Sequence, residues 1–449
     1  MKLLAASPAE VDLQALIERQ VQGDYIYMYP PRQAYRPWRS DMLEMAIRAS
    51  LSETETEPVN LYLHFPFCEQ ICGFCNLFTT MSDGREDEQT EYVVLLEREL
   101  AMWRGVLGGR RIATIYLGGG TPSLFPPSLL DRCLRAVERQ MGTDRSGVSE
   151  VALEIAPMTV DESRLASLRD IGITRINMGL QTTSDKGLRA IGRKHDYANV
   201  KARIASAVAT GFDNVCVDLI YGLPAQSSEE WCQAVDEVAA LGADTVCAYP
   251  LTARPYTPFA QFTPTGGSQY EKYDYAREKL TSIGMVQETH VRYIAPGSGG
   301  YLQKVNHWKG QDIVGVGAGA RGYLRAVDYR NRYSVRHRKG ALTAYAREIS
   351  DRRFAFDSGL FLQKDEQMRR SLILGLLALD RGAFEDAHGV DALFVFEREL
   401  LALMRLGLAQ VDELGVALTD NGRKYRDLAV QSLFSTSTWD RIAAFDYNE

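Results

Sequence analysis

Between residues 59 and 293 the chain alternates short β-rich runs with helical stretches. The runs are VNLYLHF (59–65), RIATIYL (111–117), EVALEI (150–155), RINMGL (175–180), NVCVDLIYGL (214–223) and DTVCAYPL (244–251). Apolar residues at helical spacing lie between them, as in EYVVLLERELAMWRGVL (91–107) and YANVKARIASAVATG (197–211). This alternation predicts parallel βαβ units. Six or more units with nearly continuous apolar strands predict an α/β barrel, open or closed. Such barrels carry their active sites at the C-terminal ends of the strands. The polar and glycine-rich segments fall there: PFCEQIC after the first strand, GGGTPS after the second, QTTS after the fourth.

The flanks break the pattern. Residues 1–55 hold one amphipathic stretch (11–22) and then GDYIYMYPPRQAYRPW (23–38), an aromatic, proline-rich arm that reads as a lid or a packing strap. Past about Tyr323 come Leu-rich helices, MRRSLILGLLAL (368–379) and FVFERELLALMRLGL (394–408), a short β-like pair around Gly415 and a final helix. The expected organisation is an arm (1–55), a partial (β/α) TIM-like barrel (56–325) and a small, mostly helical, winged-helix-like domain (326–449). Winged helices often bind DNA. A net charge of −7 supplies no basic field for that, so the C-terminal unit reads as a cover for the barrel.

Composition is that of a globular chain, 45% hydrophobic and 24% charged over 449 residues. No apolar run approaches the ~20 residues of a membrane span. The N-terminal LLAA is too short for a secretory signal, so the expected location is cytoplasmic. Seven cysteines in so long a chain do not read as a disulfide framework. Cys133, Cys216, Cys232 and Cys247 read as small buried apolar residues.

The other three, Cys68, Cys72 and Cys75, crowd onto one loop after the first strand. Three thiolates suit three irons of a cubane cluster, leaving the fourth iron open. Zinc is the competing reading. It normally takes four protein ligands, and His64, on the strand before the loop, offers a fourth donor in poor geometry. Elsewhere, Gly118-Gly119-Gly120-Thr121 lets a ligand approach the backbone, whose N–H groups bind carboxylate. Glu154 near the end of VALEIAP is costly unless paired. Gln181, Arg193 and Asp218 each interrupt an apolar pattern, and a hydrogen-bond network would explain any one of them. DIVGVGAGARGYL (312–324) looks like GxGxxG, but it closes the alternating region and lacks the Rossmann context, so NAD is rejected.

Cys-x3-Cys-x-Phe-Cys after an apolar strand is similar to the signature of the radical S-adenosylmethionine (SAM) superfamily. YLHFPFC resembles the branch of oxygen-independent coproporphyrinogen III oxidases, haem chaperones and class C radical SAM methyltransferases. The resemblance runs from Tyr25 to about Phe434. It implies a 4Fe–4S cluster on Cys68, Cys72 and Cys75, with SAM on the open iron cleaved to a 5′-deoxyadenosyl radical. Around the first SAM it implies Tyr62, Phe74, Gly119, Gly120, Thr121 and Glu154. Around a second SAM it implies Gln181, Arg193 and Asp218. It also implies an electron donor such as flavodoxin or ferredoxin and a small-molecule substrate, with no nucleic-acid or membrane partner.

The oxidases carry a further cysteine two residues after the motif, where this chain has Leu77. That departure, with the N-terminal arm, turns the reading toward C-methylation or cyclopropanation of an unsaturated small molecule. Tyr25, Tyr27, Tyr29, Arg36 and Arg321 are then the candidates for the substrate wall. The alternatives are coproporphyrinogen decarboxylation, and a haem chaperone without turnover for which His195, His290 and His307 are candidate ligands.

Overall fold

The computed structural model describes residues 12–82, 84–254, 257–262, 266–413 and 415–445. Residues 1–11, including the start of the amphipathic stretch and the LLAA segment, lie outside them. Seven strands run parallel, in the order Ile313–Val316, Val59–Phe65, Ile112–Gly119, Glu150–Ile155, Arg175–Gln181, Asn214–Tyr221 and Thr245–Pro250. The curved sheet stays open, because antiparallel strands extend both of its ends. It also runs on past residue 325: Arg321–Tyr323, Val327–Asn331 and Phe356–Phe361 add antiparallel strands, and Arg36–Pro37 of the arm pairs with the last of them.

Alternation along each strand decides what faces where. Leu61, Leu63 and Phe65 join the buried core between sheet and helices, as do Ile176, Met178 and Leu180, and Val215, Val217 and Leu219. Their neighbours Tyr62, His64, Arg175, Asn177, Cys216 and Asp218 point into the barrel. The outer face is apolar because helices such as Glu86–Leu107 and Pro127–Met141 cover it with Leu96, Leu100, Leu130 and Leu134. The inner face is free to be polar because it surrounds a cavity.

The C-terminal unit has its own core, built on Leu372, Phe384, Phe396, Leu403 and Leu428. Helices surround a three-stranded antiparallel sheet of Leu379–Asp380, Gly415–Leu418 and Ala409–Val411. Ile26 and Tyr29 of the arm are part of that core. No helix among the described residues is long and apolar enough to cross a membrane.

Two buried histidines are held neutral. His64 Nε2 donates to the Phe78 carbonyl at 2.8 Å while Nδ1 accepts from Tyr62 at 3.0 Å, and burial brings the ring down to about 4. Burial brings His307 down to about 3. The unfolded chain protonates both near pH ~6.5. The unfolded state therefore binds more protons between pH 7 and pH 5, and stability falls with pH by about 2 kcal/mol for each ring. The urea midpoint of the metal-free chain is expected to drop accordingly; equal midpoints at pH 7 and pH 5 contradict the neutral assignment.

Candidate active site

The first strand ends at Phe65, and the loop behind it is pinned by backbone bonds, Thr80 N–H to the Pro66 carbonyl at 2.6 Å and Ser82 N–H to the Cys68 carbonyl at 3.0 Å. This brings Cys68, Cys72 and Cys75 to the edge of a cavity of about 420 Å³. Phe74, Gly119, Gly120, Thr121, Glu154, Gln181, Arg193 and Asp218 line the same cavity. Eight of the nine positions expected around SAM therefore converge on one space. The ninth, Tyr62, faces the adjoining chamber.

The cavity's donor set fits a cluster with one open iron: three free thiols and no fourth cysteine among the described lining residues. Thr121 Oγ1 donates to Cys68 Sγ at 3.4 Å. As a bare thiol Cys68 is pushed up to about 12 by burial; iron supplies the positive charge that reverses this. His64 is committed to Phe78 and Tyr62, which removes it as a zinc ligand.

The glycine turn works differently from the sequence expectation. Gly119 N–H donates to Glu154 at 2.8 Å, Gly120 N–H to the Phe65 carbonyl at 2.7 Å, and Thr121 N–H to the Phe67 carbonyl at 2.8 Å. All three N–H groups are spent within the protein, so the turn anchors the cysteine loop instead of offering donors to a carboxylate. A Cβ on Gly120 would meet the Phe67 carbonyl at 2.6 Å and the Phe65 carbonyl at 2.8 Å, and that close approach is what requires glycine. Among the described residues Glu154 pairs with no arginine; it accepts from Tyr116 and Gly119, and burial raises its carboxyl above the usual range. Gln181 sits at φ +75° beside a register shift after Gly179, which turns its side chain out of the strand's alternation. Arg193 donates to the Gly179 carbonyl, beside Gln181.

Leu77, Glu154, Asn177 and Asp218 also line a second space of about 390 Å³ inside the barrel. Tyr25, Tyr27, Tyr62, Tyr116, Tyr249, Tyr301, Tyr323 and Tyr333 make up a third of its lining residues, with four cations beside them: Arg175, Arg292, Lys304 and Arg321. Arg321 Nη1 donates to the Tyr27 hydroxyl at 2.6 Å. Lys304 lies 5.3 Å from the centre of the Tyr27 ring, and burial brings it down to about 8.

Of the residues expected in a substrate wall, Tyr25, Tyr27 and Arg321 line this chamber. Tyr29 does not: its hydroxyl bonds to Glu366 and Thr438, inside the C-terminal core. Arg36 does not either; it ties the strap down through the Tyr35 and Arg441 carbonyls. The GxGxxG-like loop returns as the antiparallel strand Arg321–Tyr323 where a nucleotide fold would continue as a helix. Buried Glu99 holds this loop from behind by accepting from Gly317 N–H at 2.8 Å. The three candidate haem histidines are dispersed: His195 lines the cysteine cavity, His290 lies between Tyr25 and Asp427, and His307 contacts Met28. The sequence reading missed Arg175, Arg292, Lys304 and Tyr301. It also took Cys216 and Cys247 for apolar filler, whereas both face the chamber.

Residues 62–238 match the model of the Radical SAM superfamily. The haem chaperone HemW of Haemophilus influenzae is 30% identical over 60% of this chain and 70% of its own, and that of Bacillus subtilis 26% identical over 81% and 95%. The oxygen-independent coproporphyrinogen III oxidase of Escherichia coli is 25% identical over 92% of each chain. The solved structure of that Escherichia coli oxidase, HemN, superposes with a TM-score of 0.78 at 23% identity, covering 93% of this chain and 98% of its own. These relatives overturn the C-methylation and cyclopropanation reading. Leu77, one of its two grounds beside the N-terminal arm, is an apolar wall residue shared by the two cavities, and one wall residue does not take the chain out of the branch.

Proposed function

We propose, for a chain that belongs to the radical SAM superfamily and to its branch of HemW haem chaperones and oxygen-independent coproporphyrinogen III oxidases, a radical oxidation of a bulky substrate bearing several carboxylates, of the coproporphyrinogen III type. The observation that carries the reading is the cationic, tyrosine-rich chamber directly beside the three-cysteine cavity. Coproporphyrinogen III is a flexible tetrapyrrole with four propionate arms. Guanidinium and ammonium groups bind such arms, and aromatic faces cover the rings. The oxidase also matches more of this chain, 92%, than HemW of Bacillus subtilis does at 81%.

When bound, the cluster and SAM supply a carbon radical that takes a hydrogen atom from an unactivated carbon, and an external one-electron donor reduces the cluster. The protein positions and shields. Cys68, Cys72 and Cys75 hold iron; Arg193 and Gln181 suit the carboxylate end of a second SAM. Tyr27 and Arg321 form one polar edge of the chamber, and Lys304 forms another. A bound carboxylate favours the charged form of Lys304 against the burial that lowers it. Tyr25 and Tyr27 of the arm line the chamber and shield that side of it.

A charge-assisted hydrogen bond contributes about 1.5–3 kcal/mol. Arg321→Gln and Lys304→Met should therefore each raise KM for a carboxylated substrate about 10- to 100-fold; a KM within twofold of the native value contradicts the cationic wall. The reading itself is tested with carboxyl-labelled coproporphyrinogen III, SAM, reductant and the cluster-loaded chain. Labelled carbon dioxide is the expected product. Tight haem binding without carbon dioxide release contradicts the proposal and favours a chaperone.

A further inference from the structure

Two free thiols touch inside the chamber, away from the cysteine loop. Cys216 lies on Asn214–Tyr221 and Cys247 on the neighbouring Thr245–Pro250. The parallel register pairs Cys216 with Thr245 and Asp218 with Cys247, so Cys216, Asp218 and Cys247 share the inner face. Cys216 Sγ is 3.7 Å from Cys247 Sγ and 3.7 Å from Asp218 Oδ1. The three donor atoms all lie within 4.8 Å of one another. Both cysteines are buried.

The two 3.7 Å separations are close to those imposed by a small tetrahedral ion. Two thiolates at ~2.3 Å from one zinc stand about 3.8 Å apart at the tetrahedral angle, and a thiolate and a carboxylate oxygen at ~2.0 Å stand about 3.5 Å apart. We propose that Cys216, Asp218 and Cys247 form a site for a soft divalent metal ion of the zinc class, separate from the iron–sulfur loop, with its fourth position open to the chamber.

The surroundings suit that charge. Three ionised donors carry −3, and Arg175 and Arg292 both act on the two thiols. Arg292 already pairs with Glu288 at 2.5 Å and Arg175 lies 4.0 Å from Glu150, so the divalent ion supplies charge the three donors otherwise lack, and the fourth position is left to a water or a carboxylate. The donors bind zinc as thiolates and carboxylate, so metal binding releases the protons they carry. Asp218 lines both cavities, so the ion stands at the partition between them; it takes Asp218 out of the set expected around a second SAM and leaves Gln181 and Arg193 to that role.

The test counts metal and is independent of turnover. The chain is loaded anaerobically with its cluster, equilibrated with zinc, freed of loose ion by gel filtration and assayed for zinc, iron and protein. One zinc beside four irons per chain is expected, and zinc X-ray absorption should show two sulfur neighbours at about 2.3 Å. Cys216→Ala and Cys247→Ala should each lose the zinc and keep the iron. A native chain with four irons and no zinc overturns the site. So does zinc that persists in both variants, or an absorption spectrum with nitrogen and oxygen neighbours only. Should a variant fail to load iron, the sulfur count on the native chain decides alone. Failure to decarboxylate a porphyrinogen leaves the zinc count untouched, so the two proposals fail separately.

Discussion

Cys68→Ala is expected to abolish SAM cleavage, by more than about 10³-fold, while the fold persists. The cavity offers three thiols and, among the described residues, no fourth cysteine to take over a lost position. Two thiolates cannot hold three irons of a cubane in place. Cys68 is also the most sheltered of the three and accepts a hydrogen bond from Thr121. Its loop does not depend on the sulfur for its shape, because Thr80, Ser82, Gly120 and Thr121 fix it through backbone bonds to residues 65–68. Iron content, circular dichroism and 5′-deoxyadenosine formation check this together. Native iron loading in the variant, or cleavage at the native rate, contradicts the assignment. Thr121→Val removes only the hydrogen bond and should weaken iron retention far less.

Arg370→Met is expected to cost about 3–5 kcal/mol of stability, the typical loss when one partner of a buried ion pair is removed. Its Nη2 donates to Asp328 at 2.6 Å, Nε to the Tyr29 carbonyl at 2.7 Å and Nη1 to the Leu324 carbonyl at 3.0 Å. One guanidinium on the Lys364–Gly375 helix thereby joins the sheet, the arm and the C-terminal unit. The Asp328 side chain is 0% exposed. Burial already raises it to about 6 against the pull of Arg370, so removing the cation strands the carboxylate. Adding Asp328→Leu should restore much of the loss, because the stranded charge goes with it. Urea titration of the two variants measures both effects. A single variant within 1 kcal/mol of native contradicts this role for Arg370.

What could be read from the chain, and what could not, follows from locality. The parallel strands, the cysteine loop, the glycine turn and the winged-helix-like end are written in short windows, and these lie where their spacing predicts. The chamber was also partly written. In RINMGLQ and NVCVDLIY the polar residues fall at every second position, which marks a polar inner face. Reading these strands as nearly continuous apolar runs hid Arg175, Cys216 and Cys247. Lys304 and Arg292 could not be found this way, because nothing local to residues 288–310 shows that the segment returns to the barrel mouth. Tyr29 and Arg36 failed for the same reason in reverse. Their partners Glu366, Thr438 and Arg441 are hundreds of residues away, so an aromatic arm that looks like one lid divides its side chains between chamber and C-terminal core. The reaction type turned on Leu77 and the N-terminal arm, a weak basis beside relatives that match over most of their length.

In the proposed reaction the cysteine cavity and the cationic chamber act as one space. This is tested most directly by following a hydrogen atom from one to the other. The cluster-loaded chain is reduced and given SAM with coproporphyrinogen III deuterated along its propionate arms. Deuterium in the recovered 5′-deoxyadenosine, lost in Cys68→Ala and diminished at low substrate in Arg321→Gln, is the predicted result. Deoxyadenosine formed in the presence of bound substrate but carrying no deuterium contradicts the account.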